Sequence, residues 1–136
     1  VSGLFGGADV VLVGHSLGGA VVLDVAALLS KLFPKMNELG QGSPFGQELV
    51  GVCTLAAQER GAVEAVAALP SGSVRKLFLH GSDDAILSAR TVEVIHAAAR
   101  EPKEYLVLPG GEHDFYTFRG HLLGHVGGFV LDALRR

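Results

Sequence analysis

Four short, mostly apolar runs constrain the fold of this 136-residue chain more than any other feature. They occupy residues 9–14, 49–57, 74–80 and 103–108, and glycine or proline stops the first, third and fourth. Each is too brief for a helix and rich in valine or leucine, which predicts strands covered on both faces, as in a parallel sheet. Helical patterns separate them, over residues 16 to about 31, about 60–69, 88 to about 100 and about 120–134. Strand and helix therefore alternate four times. That order predicts an α/β fold, with a parallel sheet of about four strands, right-handed crossovers and helices on both faces.

The helical segments differ in character. Residues 16–31 are apolar nearly all round, which predicts a central helix. Ser88 is placed to cap the third helix, in which Val92, Ile95 and Ala99 repeat at helical spacing. The last helix carries Leu122, Val126, Phe129, Val130 and Ala133 on one stripe. Residues 33–47 hold Pro34, Gly40, Gly42, Pro44 and Gly46 and read as a loop. No repeat or linker divides the chain, so residues 1–136 are expected to form a single domain.

Composition narrows the function. Hydrophobic residues make up 49% of the chain and its mean hydropathy is +0.39, which a sheet buried on both faces accounts for. The most apolar segment contains Asp24 and is too short to span a bilayer. No charged leader followed by an apolar core is visible, so no signal peptide is expected. Eleven Lys and Arg stand against fourteen Asp and Glu, a net charge of −3 with no basic block. Nucleic acid and anionic membrane surfaces, which both need clustered cations, are thereby disfavoured. The one cysteine, Cys53, excludes an internal disulfide and fits a reducing, cytoplasmic setting. It lies in an apolar run, as a small buried hydrophobe would.

In an open parallel sheet, reactive groups collect beyond the carboxyl ends of the strands. The first run leads into Gly14-His15-Ser16-Leu17-Gly18, the third into His80-Gly81-Ser82-Asp83-Asp84, and the fourth into Pro109-Gly110-Gly111-Glu112-His113. A serine, an aspartate and a histidine thus follow three strands, in that chain order.

Here the sequence resembles the α/β-hydrolase family. Gly14-x-Ser16-x-Gly18, after a strand and before a helix, is similar to that family's nucleophile elbow, a turn that needs small neighbours two residues either side of the serine. His80-Gly-x-x-Asp84 is similar to its acid-bearing turn, and Gly110-Gly-x-His113 to its histidine loop. Small capless esterases related to dienelactone hydrolases and prolyl oligopeptidases are the nearest in pattern. The resemblance implies Ser16 as nucleophile, His113 as base and Asp84 as the acid that orients the imidazole. It implies the backbone N–H of Leu17 as an oxyanion donor, a small-molecule ester or thioester as substrate, and no metal or organic cofactor.

Other readings stand beside these. Ser16 could cap its helix, though capping explains neither Gly14 nor Gly18. Asp83 competes with Asp84 as the acid, and Glu59, just past the second strand, is a further candidate. His15 reads as packing beside the site and His80 as a strand terminator, while His96 lies on a helix among alanines. His121 and His125, four apart, have a zinc-gripping spacing but no glutamate between them, so a solvated helix face is the better reading.

The family's sheet has eight strands, and those found here correspond to its second half. On that comparison residues 1–8 would be the tail of a preceding helix, and the loop giving a second oxyanion donor would be missing. Two functions follow. One is a serine hydrolase cleaving an ester or thioester through an acyl-enzyme on Ser16. The alternative is a non-catalytic remnant serving as a binding or interaction module. The short connection between the second and third strands predicts an open, shallow site without a lid. The strand at 9–14, with one side unpartnered, is expected to promote self-association.

Overall fold

Valine- and leucine-rich segments form four strands, β1 (Val10–His15), β2 (Leu49–Leu55), β3 (Arg75–Gly81) and β4 (Lys103–Leu108). They pair in chain order, β1-β2-β3-β4, and every pair is parallel. The structure is a computed structural model that describes residues 9–32 and 48–135. The expected loop at 33–47 and the helix tail at 1–8 lie outside the described residues.

Helices α1 (Leu17–Leu32), α2 (Ala62–Ala67) and α3 (Arg90–Ala98) make the crossovers, and α4 (Arg119–Leu134) closes the chain. A parallel sheet built in one direction sends its crossovers to one face, because they share one hand. The packing shows this. Leu12, Val52, Phe78 and Val107 from the four strands meet Ala20, Leu23 and Ala26 of α1, Val66 of α2 and Val92 and Ile95 of α3. On the opposite face Cys53, Leu55, Leu77, Leu79 and Leu106 meet Leu122, Val126 and Phe129 of α4. Strand side chains alternate between the two layers, so the central strands β2 and β3 are buried nearly throughout. Gly51 lets α4 cross β2 closely: a Cβ there would come within 3.2 Å of Ala133 and Phe129.

Three local expectations shift. β1 continues to His15, since the ladder with β2 runs on until the turn at Ser16. The cap position of α3 is Ala89, one residue after Ser88, although the Ser88 hydroxyl still accepts the Arg90 N–H at 3.2 Å. The third shift is larger. α1 is not buried all round: Leu17, Val21, Val25, Leu28 and Leu32 form an exposed stripe. β1 is a sheet edge among the described residues, so the helix over it packs with one side only.

Candidate active site

The parallel sheet brings the ends of β1, β3 and β4 to one rim, and each strand is followed there by a tight, hydrogen-bonded turn. After β1 the chain turns at Ser16, whose φ of 57° lies in the left-handed region that side chains rarely adopt. The turn is held by the Ser16 N–H donating to the Leu55 carbonyl at 2.8 Å and by the Ser16 carbonyl accepting the Gly19 and Gln58 N–H groups. Glycine allows the sharp reversal. A Cβ on Gly14 would strike the Gly18 carbonyl and come within 2.8 Å of Val22. A Cβ on Gly19 would lie 2.7 Å from that of Ala57, where α1 passes over the end of β2.

The turns after β3 and β4 are pressed together in the same way. A Cβ on Gly81 would overlap the Gly111 carbonyl. The Asp83 N–H donates to that carbonyl at 2.9 Å, and the Gly110 N–H donates to the Ser82 hydroxyl at 2.7 Å. Phe115, buried and with φ of 56°, anchors the β4 turn against Ala56 and Leu108. Glu112 accepts both the N–H and the hydroxyl of Thr117, which closes the same loop and holds the Glu112 carboxyl below its ordinary range.

These turns bring Ser16, His113 and Asp84 into one line. His113 Nε2 lies 3.0 Å from Ser16 Oγ, and His113 Nδ1 lies 2.7 Å from Asp84 Oδ2. Residues 97 and 29 positions apart in sequence thus share two hydrogen bonds. Asp84 is buried, with no side-chain exposure, while His113 retains 20%. Burial pushes the Asp84 carboxyl up, but donation from the Leu87 N–H, from His113 and from the Ile86 N–H outweighs it, so its pKa falls below 3.8. Both backbone donors reach Oδ1 at 2.8 Å, which leaves Oδ2 to the imidazole. A hydroxyl next to an imidazole that an ionised carboxylate orients is the arrangement acyl transfer requires. The Leu17 N–H opens α1, at the positive end of the helix, where an anion is favoured. Leu17 itself is strongly exposed, so the rim is open on that side.

The other candidates fall elsewhere. Asp83 is exposed, and its carboxylate accepts the Ser82 hydroxyl within the turn. Glu59 is exposed and lines an open depression with Arg60, Glu64 and Val94. His121 and His125 line a shallow groove with Gly120 and Gly124, and among the described residues no group of three or more His, Cys, Asp or Glu is placed to hold a metal ion. His96 lies against Tyr105, with ring centroids 4.7 Å apart and the rings tilted by 56°. Two further histidines take part. His15 Nε2 lies 2.7 Å from the His113 carbonyl, tying the elbow to the β4 loop. His80, fully buried, reaches Asp84 Oδ2 at 3.1 Å. The spacing of His80 four residues before Asp84 in one turn is the signal that could have placed it, whereas nothing local distinguishes His15 from a packing residue.

No protein-family model matches the sequence, and a search of the curated proteins finds no relative. Solved structures do share the fold. An esterase domain from a Rhodothermus marinus protein aligns with a TM-score of 0.62 at 22% identity, covering 87% of this chain and 57% of its own. Est1E from Butyrivibrio proteoclasticus aligns at 0.68 and 13% identity, over 95% of this chain and 63% of its own. A single-residue variant of Arabidopsis thaliana SOBER1 aligns at 0.63 and 20% identity, over 93% and 54%. The chain spans roughly six-tenths of the length of these structures. It has the α/β-hydrolase fold in part: a four-stranded parallel portion of that core.

Proposed function

We propose that the chain carries the active-site half of a serine hydrolase that cleaves carboxylic esters or thioesters. The observation that carries this reading is the continuous Ser16–His113–Asp84 line, at 3.0 and 2.7 Å, on a shared α/β-hydrolase fold. Ser16 Oγ attacks the carbonyl carbon as His113 Nε2 takes its proton. Asp84 keeps the proton on His113 Nδ1 and stabilises the imidazolium. The carbonyl oxygen becomes an oxyanion facing the Leu17 N–H. Collapse breaks the bond to the alkoxide or thiolate, which leaves with the proton from His113, and the acyl group stays on Ser16. Water then attacks that ester, passes its proton through His113, and releases the acid and the free serine.

A remnant kept only for binding has no need of this line, nor of a serine held at φ 57°, which costs on the order of 1–3 kcal/mol. That the structural neighbours include an esterase domain supports ester chemistry. A fluorophosphonate probe tests the reading. It should label Ser16, and Ser16→Ala should abolish labelling while the far-UV spectrum and melting transition persist. Labelling that survives the substitution would overturn it.

A further inference from the structure

The reaction as proposed uses one imidazole on Asp84, yet the structure places two there. His80 closes β3 with 1% of its surface exposed. Its Nε2 lies 2.9 Å from the Leu87 carbonyl and 3.1 Å from Asp84 Oδ2. Both are oxygens that accept, so the ring hydrogen sits on Nε2; it is donated to the Leu87 carbonyl, and the Asp84 carboxylate lies beside it at ion-pair distance. Nδ1 is then an acceptor, and it is buried with no partner among the described residues. A buried polar atom left this way costs about 1–3 kcal/mol, a cost an apolar side chain of similar size would avoid. Space filling at the end of β3 therefore does not account for a histidine.

We propose that His80 is a positioning residue for Asp84, an inference that rests on the hydrolase reading for its catalytic consequence but not for its geometry. The Ile86 and Leu87 N–H groups fix Oδ1 and leave the carboxylate free to tilt about that end. His80 Nε2 stands 3.1 Å from Oδ2 on the buried side, while His113 is hydrogen-bonded to the same oxygen at 2.7 Å from the open side. The bond to the Leu87 carbonyl ties the far end of the acid turn to the same ring. Asp84 thus receives three N–H donors, two on Oδ1 and His113 on Oδ2, and His80 Nε2 stands 3.1 Å from Oδ2 behind it, keeping that oxygen where His113 Nδ1 needs it. Without His80 the carboxylate can rotate, and His113 is no longer confined to the tautomer with hydrogen on Nδ1.

Three variants of the 136-residue chain test this. In His80→Gln the amide N–H can stand where Nε2 stands. In His80→Asn the amide is too short to reach Asp84. In His80→Leu no donor remains. The readouts are the ring-nitrogen NMR shifts of His113, the rate of fluorophosphonate labelling, and kcat and KM on a small activated ester. Leu and Asn should mix the His113 tautomers and lower labelling rate and kcat by about 10- to 100-fold, the range for losing the outer partner of a working imidazole, with KM unchanged. Gln should restore the single tautomer and most of the rate. A folded Leu variant with native His113 shifts and rates overturns the proposal, as does a Gln variant no better than Asn. Should the variants fail to fold, the unmutated chain still decides, because a His80 ring with hydrogen on Nδ1 contradicts the geometry. If Ser16 is never labelled, the hydrolase reading fails, while the dependence of the His113 tautomer on residue 80 still tests the positioning role.

Discussion

A Cβ on Gly14 would collide with the carbonyl of Gly18, whereas a Cβ on Gly18 would meet nothing within 4 Å. The two glycines that flank Ser16 are therefore not equivalent. Gly14 is small because the Gly18 backbone, in the first turn of α1, presses onto it, and packing places no such demand on Gly18. Gly14→Ala should destabilise the fold by about 3 kcal/mol through overpacking. Gly18→Ala should be neutral or stabilising by up to about 1 kcal/mol, since alanine is the better helix former. Chemical denaturation of both variants checks this, and a Gly18 variant as unstable as the Gly14 variant would contradict the geometry.

The acid turn gives a second test. Asp84→Asn should lower kcat by about 10³- to 10⁴-fold, because the amide favours the wrong His113 tautomer, and Asp83→Asn should leave it nearly unchanged. Stability should respond to pH with a definite sign. The folded-state pKa of Asp84 lies below its ordinary 3.8, so its ionised form stabilises the fold above that value and the contribution is lost as pH falls through the lower one. The difference in melting temperature between the wild-type chain and Asp84→Asn should therefore narrow on acidification below pH 3.8. A gap that stays constant with pH would contradict this.

The sheet and the three site-bearing turns were legible because apolar runs and turn residues are local signals. Lys103 to Leu108 is bounded by Pro109-Gly110-Gly111 in sequence and in space alike. His15 was not legible, since its partner, the His113 carbonyl, comes from a separate turn, and His80, four residues before Asp84 in one turn, read only as a strand terminator. Nor was it legible which residues of α1 form its exposed stripe. An apolar pattern shows that a face can be buried, and only the tertiary arrangement shows whether anything covers it.

His15 should matter through its bond to the β4 loop. His15→Phe keeps a ring but loses the donor to the His113 carbonyl, 2.7 Å away, and should slow Ser16 labelling. His15→Gln, which can place an N–H at the same point, should restore it. Equal rates in the two variants would reduce His15 to packing.

Cys53 and Lys76 report on the core. Burial pushes the Cys53 thiol up to about 12, so alkylating reagents should leave it untouched in the native chain and modify it on denaturation. Lys76 is 2% exposed, with Nζ donating to the Val74 carbonyl at 2.7 Å. Burial, opposed by Glu101 and assisted by Arg100 and Lys103, lowers its pKa from 10.5 to about 8. Between those values the unfolded chain holds a proton that the folded chain has shed, so stability should rise with pH there. Thermal melts of the wild-type chain against Lys76→Met isolate that rise. A difference that is flat from pH 8 to 10.5 would mean that the ammonium stays charged in the fold.

Self-association is the last expectation, and it follows from one continuous surface. β1 pairs with β2 on one side and is an edge among the described residues on the other. An edge strand presents unpaired N–H and C=O groups that can template another strand. Beside it, Val13 is 42% exposed and Leu17, Val21, Val25, Leu28 and Leu32 follow one another along α1 at helical spacing. An apolar surface of this kind, running alongside an open edge, favours association. A second copy of the chain supplies the matching surface, because a two-fold axis sets β1 against β1 antiparallel and one α1 stripe against the other. We therefore expect the 136-residue chain to form dimers or larger species. Val21→Lys with Leu28→Glu should shift it toward monomer without loss of helix content, since both side chains point away from the core. Light scattering over a dilution series reads the outcome. A monomer at every concentration would show that neither the β1 edge nor the α1 stripe is available to a second copy.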